Sequence, residues 1–112
     1  MSQPEGIVKR WVNDRIKERY GKRARITNTH QGRYGNRGTE DVICCINGLY
    51  VGIEVKTEIG HPSALQLHKQ KETEEAGGIY EFIFGKDVEK MNEIFGMIDE
   101  VLDVRYKAVA NG

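Results

Sequence analysis

Ile7, Val8, Trp11, Val12 and Ile16 recur at helical spacing, which predicts a helix over residues 4–20 that Gly21 stops. Ala24 to Thr29, ARITNT, reads as a short strand. In the stretch HQGRYGNRGTE, Gly32, Gly35 and Gly38 alternate with Arg33, Tyr34 and Arg37, a pattern that predicts a mobile loop. Two apolar runs, VICCI and LYVGI, then flank Asn47-Gly48, the strongest short-range signal for a two-residue type I′ hairpin turn. Both runs are apolar on both faces, so the hairpin is expected to be central and covered. TEIGHP is a loop, Pro62 opens a helix from about Ser63 to Ala76, and Gly77-Gly78 caps it. IYEFIF, residues 79–84, is a buried or half-buried strand. Asp87 caps a long amphipathic helix whose inner face carries Val88, Met91, Ile94, Phe95, Ile98, Val101 and Leu102. From Asp103 onward the pattern gives no clear element. The order α-β-β-β-α-β-α predicts an α/β (α+β) fold, a small mixed sheet flanked by helices.

The chain has 112 residues, which fits one domain over 1–112 with no linker or internal repeat. No apolar run approaches the roughly 20 residues of a membrane span, and the polar N-terminus does not resemble a signal peptide. Cys44 and Cys45 are adjacent in a strand, point to opposite faces and lack metal-finger spacing. They are expected to be core filler in a reducing, cytoplasmic setting. The formal net charge is zero, yet residues 1–37 carry ten Lys/Arg against three acids, and the remainder is correspondingly acidic. A basic end on an acidic body suggests a polyanion partner, although a solvated helix face explains the same count. Arg23, Arg25, Arg33 and Arg37 are candidate phosphate contacts, and Tyr34 can stack on a base.

The hairpin holds the most specific chemistry. Counting outward from Asn47-Gly48 pairs Ile46 with Leu49 and brings Asp41 opposite Glu54, with Cβ atoms about 4.5–5.5 Å apart. Lys56 shares the face of Glu54 by strand alternation. Two adjoining carboxylates call for a shared proton, a basic neighbour or a bound cation. Oxygen ligands, including the main-chain carbonyl of Val55, select a hard ion such as Mg²⁺. Lys56 would orient an attacking water or offset phosphate charge, which together is the chemistry of phosphodiester hydrolysis. The competing reading is an exposed Glu-Val-Lys ion ladder with Asp41 ending a strand. A one-residue slip in register would separate the acids.

Gly38-Thr39-Glu40-Asp41, then Glu54-Val55-Lys56, then Gln66 and finally Gly77-Gly78 form an ordered set. Over roughly residues 4–90 this set resembles the VRR-NUC domain, the virus-type replication-repair branch of the PD-(D/E)XK nuclease superfamily. The resemblance implies a restriction-endonuclease-like core, with Asp41 and Glu54 as metal-binding acids and Lys56 as the catalytic lysine. Gln66 matches the family's glutamine on the following helix, and Glu5 matches an acid that completes the site when a second metal is present. Also implied are Mg²⁺ or Mn²⁺, no small-molecule cofactor, DNA cleavage and, as in small stand-alone phage-type members, a homodimer engaging branched or paired duplexes. Glu40 stands where many relatives have proline. In a regular strand it faces away from Asp41, and only a bulge would bring it in.

Two of these residues have simpler uses. Ser63 and Gln66 fit an S-x-x-Q capping box. Glu5 favours a helix N-terminus through the dipole. His30, His61 and His68 have no ligand spacing and read as loop or surface residues, and Trp11 and Phe95 read as core. The functional expectation is a metal-dependent DNA endonuclease. The alternatives are a non-catalytic nucleic-acid-binding module of the same fold and a plain interaction domain.

Overall fold

A two-residue turn organises the sheet. In the computed structural model, which describes residues 4–28, 41–56 and 60–111, Asn47 and Gly48 adopt φ of 48° and 85°. Two successive positive φ values match the right-handed twist of the flanking strands, β2 (Val42–Ile46) and β3 (Leu49–Lys56). The antiparallel register runs from Ile46↔Leu49 to Val42↔Ile53, as the turn chemistry requires. β1 (Ala24–Asn28) pairs antiparallel with β2. β4 (Ile79–Phe84) pairs parallel with β3, with helix α2 (Ala64–Glu75) as the crossover. The sheet order is β1-β2-β3-β4. Helices α1 (Glu5–Tyr20) and α3 (Val88–Asn111) complete the α-β-β-β-α-β-α order, with a 3₁₀ turn at Gly21–Arg23. This mixed α+β architecture is the one expected of a restriction-endonuclease-like core.

Strand alternation gives the sheet two unlike faces. One carries Val42, Cys44, Ile46, Leu49, Val51, Ile53, Val55, Ile79 and Ile83, all buried. α1 covers it with Val8, Val12, Ile16 and Tyr20, and α3 with Met91, Ile94, Phe95 and Ile98. The two helices are latched where Tyr20 Oη donates to Asp99 Oδ1 at 2.9 Å and Arg19 pairs with the same carboxylate. The Tyr20 and Phe95 rings meet edge-on at 5.8 Å.

The second face carries Arg25, Thr27, Ile43, Cys45, Tyr50, Gly52, Glu54, Lys56, Tyr80 and Phe82. α2, which has no buried residue, packs against the β4 side of it, and Gln70 Nε2 donates to the Tyr80 carbonyl at 2.9 Å. Among the described residues nothing covers the β1–β2 side, where Arg25 and Thr27 are exposed. Cys45 is therefore exposed rather than core filler, and the hairpin is covered on both faces only from Val51 onward.

The two glycines after α2 serve different needs. Gly77 takes φ of 90°, and the Gly77 N–H to Glu74 O and Gly78 N–H to Thr73 O bonds close a Schellman motif. At Gly78 the constraint is space: a Cβ there would lie 3.0 Å from Thr73 Cγ2 and 3.2 Å from the Tyr50 carbonyl. α3 runs on to Asn111, beyond where the sequence pattern is legible, with Val104 and Tyr106 exposed. Val88, expected on the inner face of α3, is instead 59% exposed, and Ile7 of the α1 pattern is 50% exposed beside the buried Val8. Trp11 is half-buried against the core. Among the described residues no helix is long and apolar enough to cross a membrane.

Two residues of α3 test this layering. Ile94→Ala should destabilise by about 2–5 kcal/mol, because a fully buried side chain leaves a cavity. Val88→Ala should change stability by less than about 0.5 kcal/mol. Equal shifts in urea midpoint would refute the assignment of the buried face.

Candidate active site

The open end of the hairpin brings the acids together. Asp41 sits in a bend just before β2, one step beyond the Val42↔Ile53 pair and so level with Glu54. Its Oδ2 accepts the Val55 N–H at 2.8 Å, a side chain standing where a further strand residue would have offered its carbonyl. Glu54 hydrogen-bonds Asp41, and its Oε2 accepts from the Tyr80 hydroxyl at 3.2 Å. Asp41 and Glu54 are 3% and 2% exposed, the two buried polar residues among those described.

Burial, the Asp41 charge and the hydrogen bond to Asp41 push the Glu54 pKa up to about 8, against the opposing pull of Tyr80 and Lys56. The raised pKa favours the protonated form of Glu54, which relieves the repulsion between two adjacent buried carboxylates. Lys56 is half-buried on the same face, and among the described residues no carboxylate pairs with it. Its charge still reaches both Glu54 and Glu5.

Glu5, the first residue of α1, is largely exposed, but partial burial of its carboxyl and the Asp41 charge raise its pKa. It lies beside the site without closing it. Among the described residues no group of three His, Cys, Asp or Glu side chains could hold a metal ion. Gln66 forms the capping box: Ser63 N–H donates to Gln66 Oε1 at 2.9 Å, and Gln66 N–H donates to Ser63 Oγ at 3.1 Å. That use leaves its amide nitrogen and one lone pair of Oε1 for other contacts.

Arg23 is exposed over the Tyr20 ring, its guanidinium 5.3 Å from the centroid. Arg25 is exposed on the open sheet face, in register with Cys45. Arg33, Tyr34, Arg37, Glu40 and His30 lie outside the described residues. Sequence reasoning missed Tyr80 and Gln70. A turn fixes an antiparallel partner by counting, but the partner of a parallel strand depends on how the crossover helix docks.

The fold has a counterpart among solved structures. A structure described as a VRR_NUC domain matches 82% of this chain and 94% of its own length, with a TM-score of 0.61 at 20% sequence identity. The chain has the VRR-NUC fold. No protein-family model and no curated protein matches the sequence. Within the VRR-NUC fold, Asp41, Glu54 and Lys56, which carried the resemblance in the sequence, converge at one end of one hairpin. Gln66 and Glu5 stand on the flanking helices.

The electrostatics predict a pH effect with a definite sign. The folded pKa of Glu54 lies above its unfolded value of 4.5, so its contribution is full below that pH. It is lost as pH rises through about 8, because the folded state must then hold two charges side by side. In chelator, the wild-type melting temperature should therefore fall across this window relative to Glu54→Gln, and parallel curves would refute the coupling. Separately, Ser63→Ala should destabilise by about 1 kcal/mol in urea unfolding, through loss of the cap.

Proposed function

We propose that the chain is a Mg²⁺- or Mn²⁺-dependent deoxyribonuclease, an endonuclease that hydrolyses phosphodiester bonds in DNA. One observation carries this reading: two buried carboxylates meet at the rim of the sheet with Lys56 on the same face. The donor set fits a hard cation, since it is all oxygen and its acids need either a proton or a counter-charge. Asp41, Glu54 and the Val55 carbonyl would hold the ion, with Glu5 supporting a second. When bound, such an ion neutralises charge on the phosphate and makes water more acidic. Lys56 would orient the attacking water and stabilise charge gathering on the phosphate. Gln66, at the start of α2, would support the site from that helix.

The basic residues give the polymer a path. Arg25 lies on the open face that leads to the acids, and Arg23 adjoins it at the start of β1. With Arg33, Tyr34 and Arg37 they would neutralise phosphates and stack on bases. The reading extends to a homodimer acting on branched or paired duplexes in replication, repair or recombination. A second reading, a DNA-binding module without catalysis, is favoured by the lack of a third ligating side chain among the described residues.

Plasmid, linear and four-way-junction DNA incubated with Mg²⁺, Mn²⁺ or chelator separate the two. Cleavage should require the metal and fall roughly a hundredfold or more in Glu54→Ala and in Lys56→Ala. Cleavage that survives both substitutions would overturn the site. Binding of DNA with no cleavage by the wild type would establish the module.

A further inference from the structure

The Glu54 carboxylate is gripped from the neighbouring strand, by a residue with no part so far in the chemistry. Tyr80 is fully buried and among the largest such side chains in the protein. In the parallel register it stands level with Gly52, while Glu54 stands level with Phe82. Tyr80 and Glu54 therefore share a face but are offset by two residues along the strands, about 6.6 Å. Gly52 has no side chain to occupy that face, so the phenol can lie along the sheet and reach the carboxylate. It does so, with Oη donating to Glu54 Oε2 at 3.2 Å.

Its neighbours hold the ring in this pose. Phe82 packs 5.4 Å away, centroid to centroid, tilted by 60°. From α2, Gln70 Nε2 donates to the Tyr80 carbonyl at 2.9 Å and fixes the backbone beneath the ring. A buried hydroxyl without an acceptor is unfavourable, and a buried carboxylate without donors more so. The contact satisfies both groups and restricts rotation of the carboxylate that faces Asp41.

We propose that Tyr80 is a positioning residue of this site, its hydroxyl fixing the Glu54 carboxylate for a divalent cation, with Gln70 tying that constraint to α2. The inference rests on the reading of Asp41 and Glu54 as cation ligands. Groups that orient metal ligands from behind typically change affinity or activity by about 10–100-fold when removed.

Tyr80→Phe keeps the ring and removes only the hydroxyl. Mn²⁺ binding to wild type, Tyr80→Phe, Gln70→Ala and Glu54→Gln, followed by the electron paramagnetic resonance of free Mn²⁺, tests the idea without DNA. We expect Tyr80→Phe to bind Mn²⁺ roughly tenfold more weakly, Gln70→Ala to lose less, and Glu54→Gln to lose binding. In cleavage assays, raised Mn²⁺ should restore Tyr80→Phe, with KM for DNA unchanged. If Tyr80→Phe binds Mn²⁺ as tightly as wild type, Tyr80 is core filler and the proposal fails alone. If the wild type binds no Mn²⁺, the cation site fails and the proposal with it. Should Tyr80→Phe not fold, Gln70→Ala decides, and wild-type affinity there overturns the proposal.

Discussion

Everything at the site depends on the register of one hairpin. Asn47 and Gly48 supply the two positive φ values of a type I′ turn, and five ladder pairs outward from Ile46↔Leu49 the count brings Asp41 level with Glu54. Because side chains alternate, a slip of one residue would turn Glu54 into the core beneath α1 and α3 and expose Ile53. The apolar residues of β2 and β3 forbid that slip. Hydrophobic burial thus holds two like charges together that would otherwise move apart, and the Val55 N–H to Asp41 bond pins the end where the ladder stops.

The two faces of the sheet divide the labour. The face under α1 and α3 holds the continuous core, closed by the latch of Tyr20 and Arg19 on Asp99. The other face is half covered by α2, and its open side carries Arg25, Thr27 and Cys45. The acids lie where buried strand meets open face. That position desolvates Glu54 enough to raise its pKa while Lys56 stays half-exposed. In the proposed reading, a phosphate backbone approaches across the open side and ends at the acids.

What the sequence made legible was what local chemistry determines. The turn at Asn47-Gly48, the register, the S-x-x-Q cap, the Gly77 stop and the alternation that puts Lys56 beside Glu54 all follow from short spacings. What escaped depends on docking. Cys45 looks like core filler until it is seen that no described helix covers β1 and β2 on that face, and Val88 looks internal until the docking of α3 leaves it exposed. Tyr80 is the sharpest case. Nothing in IYEFIF marks its hydroxyl, because its acceptor is set by a parallel register that no turn counts out. Glu5 was nameable from the sequence, but that α1 begins close enough to Asp41 for the two charges to interact was not.

The buried acid pair has a consequence for how such a protein changes over generations. A carboxylate pair shut away from water opposes folding, so many neutral replacements at Asp41 or Glu54 would make the chain more stable. Most positions in a fold drift against a stability penalty, but these two drift down a slope. A lineage relieved of selection for whatever the pair does would therefore lose it early, while the turn, the core and the latch persisted. In the proposed reading, both acids stand intact because the pair is used, in the one place where physical stability argues for erasure.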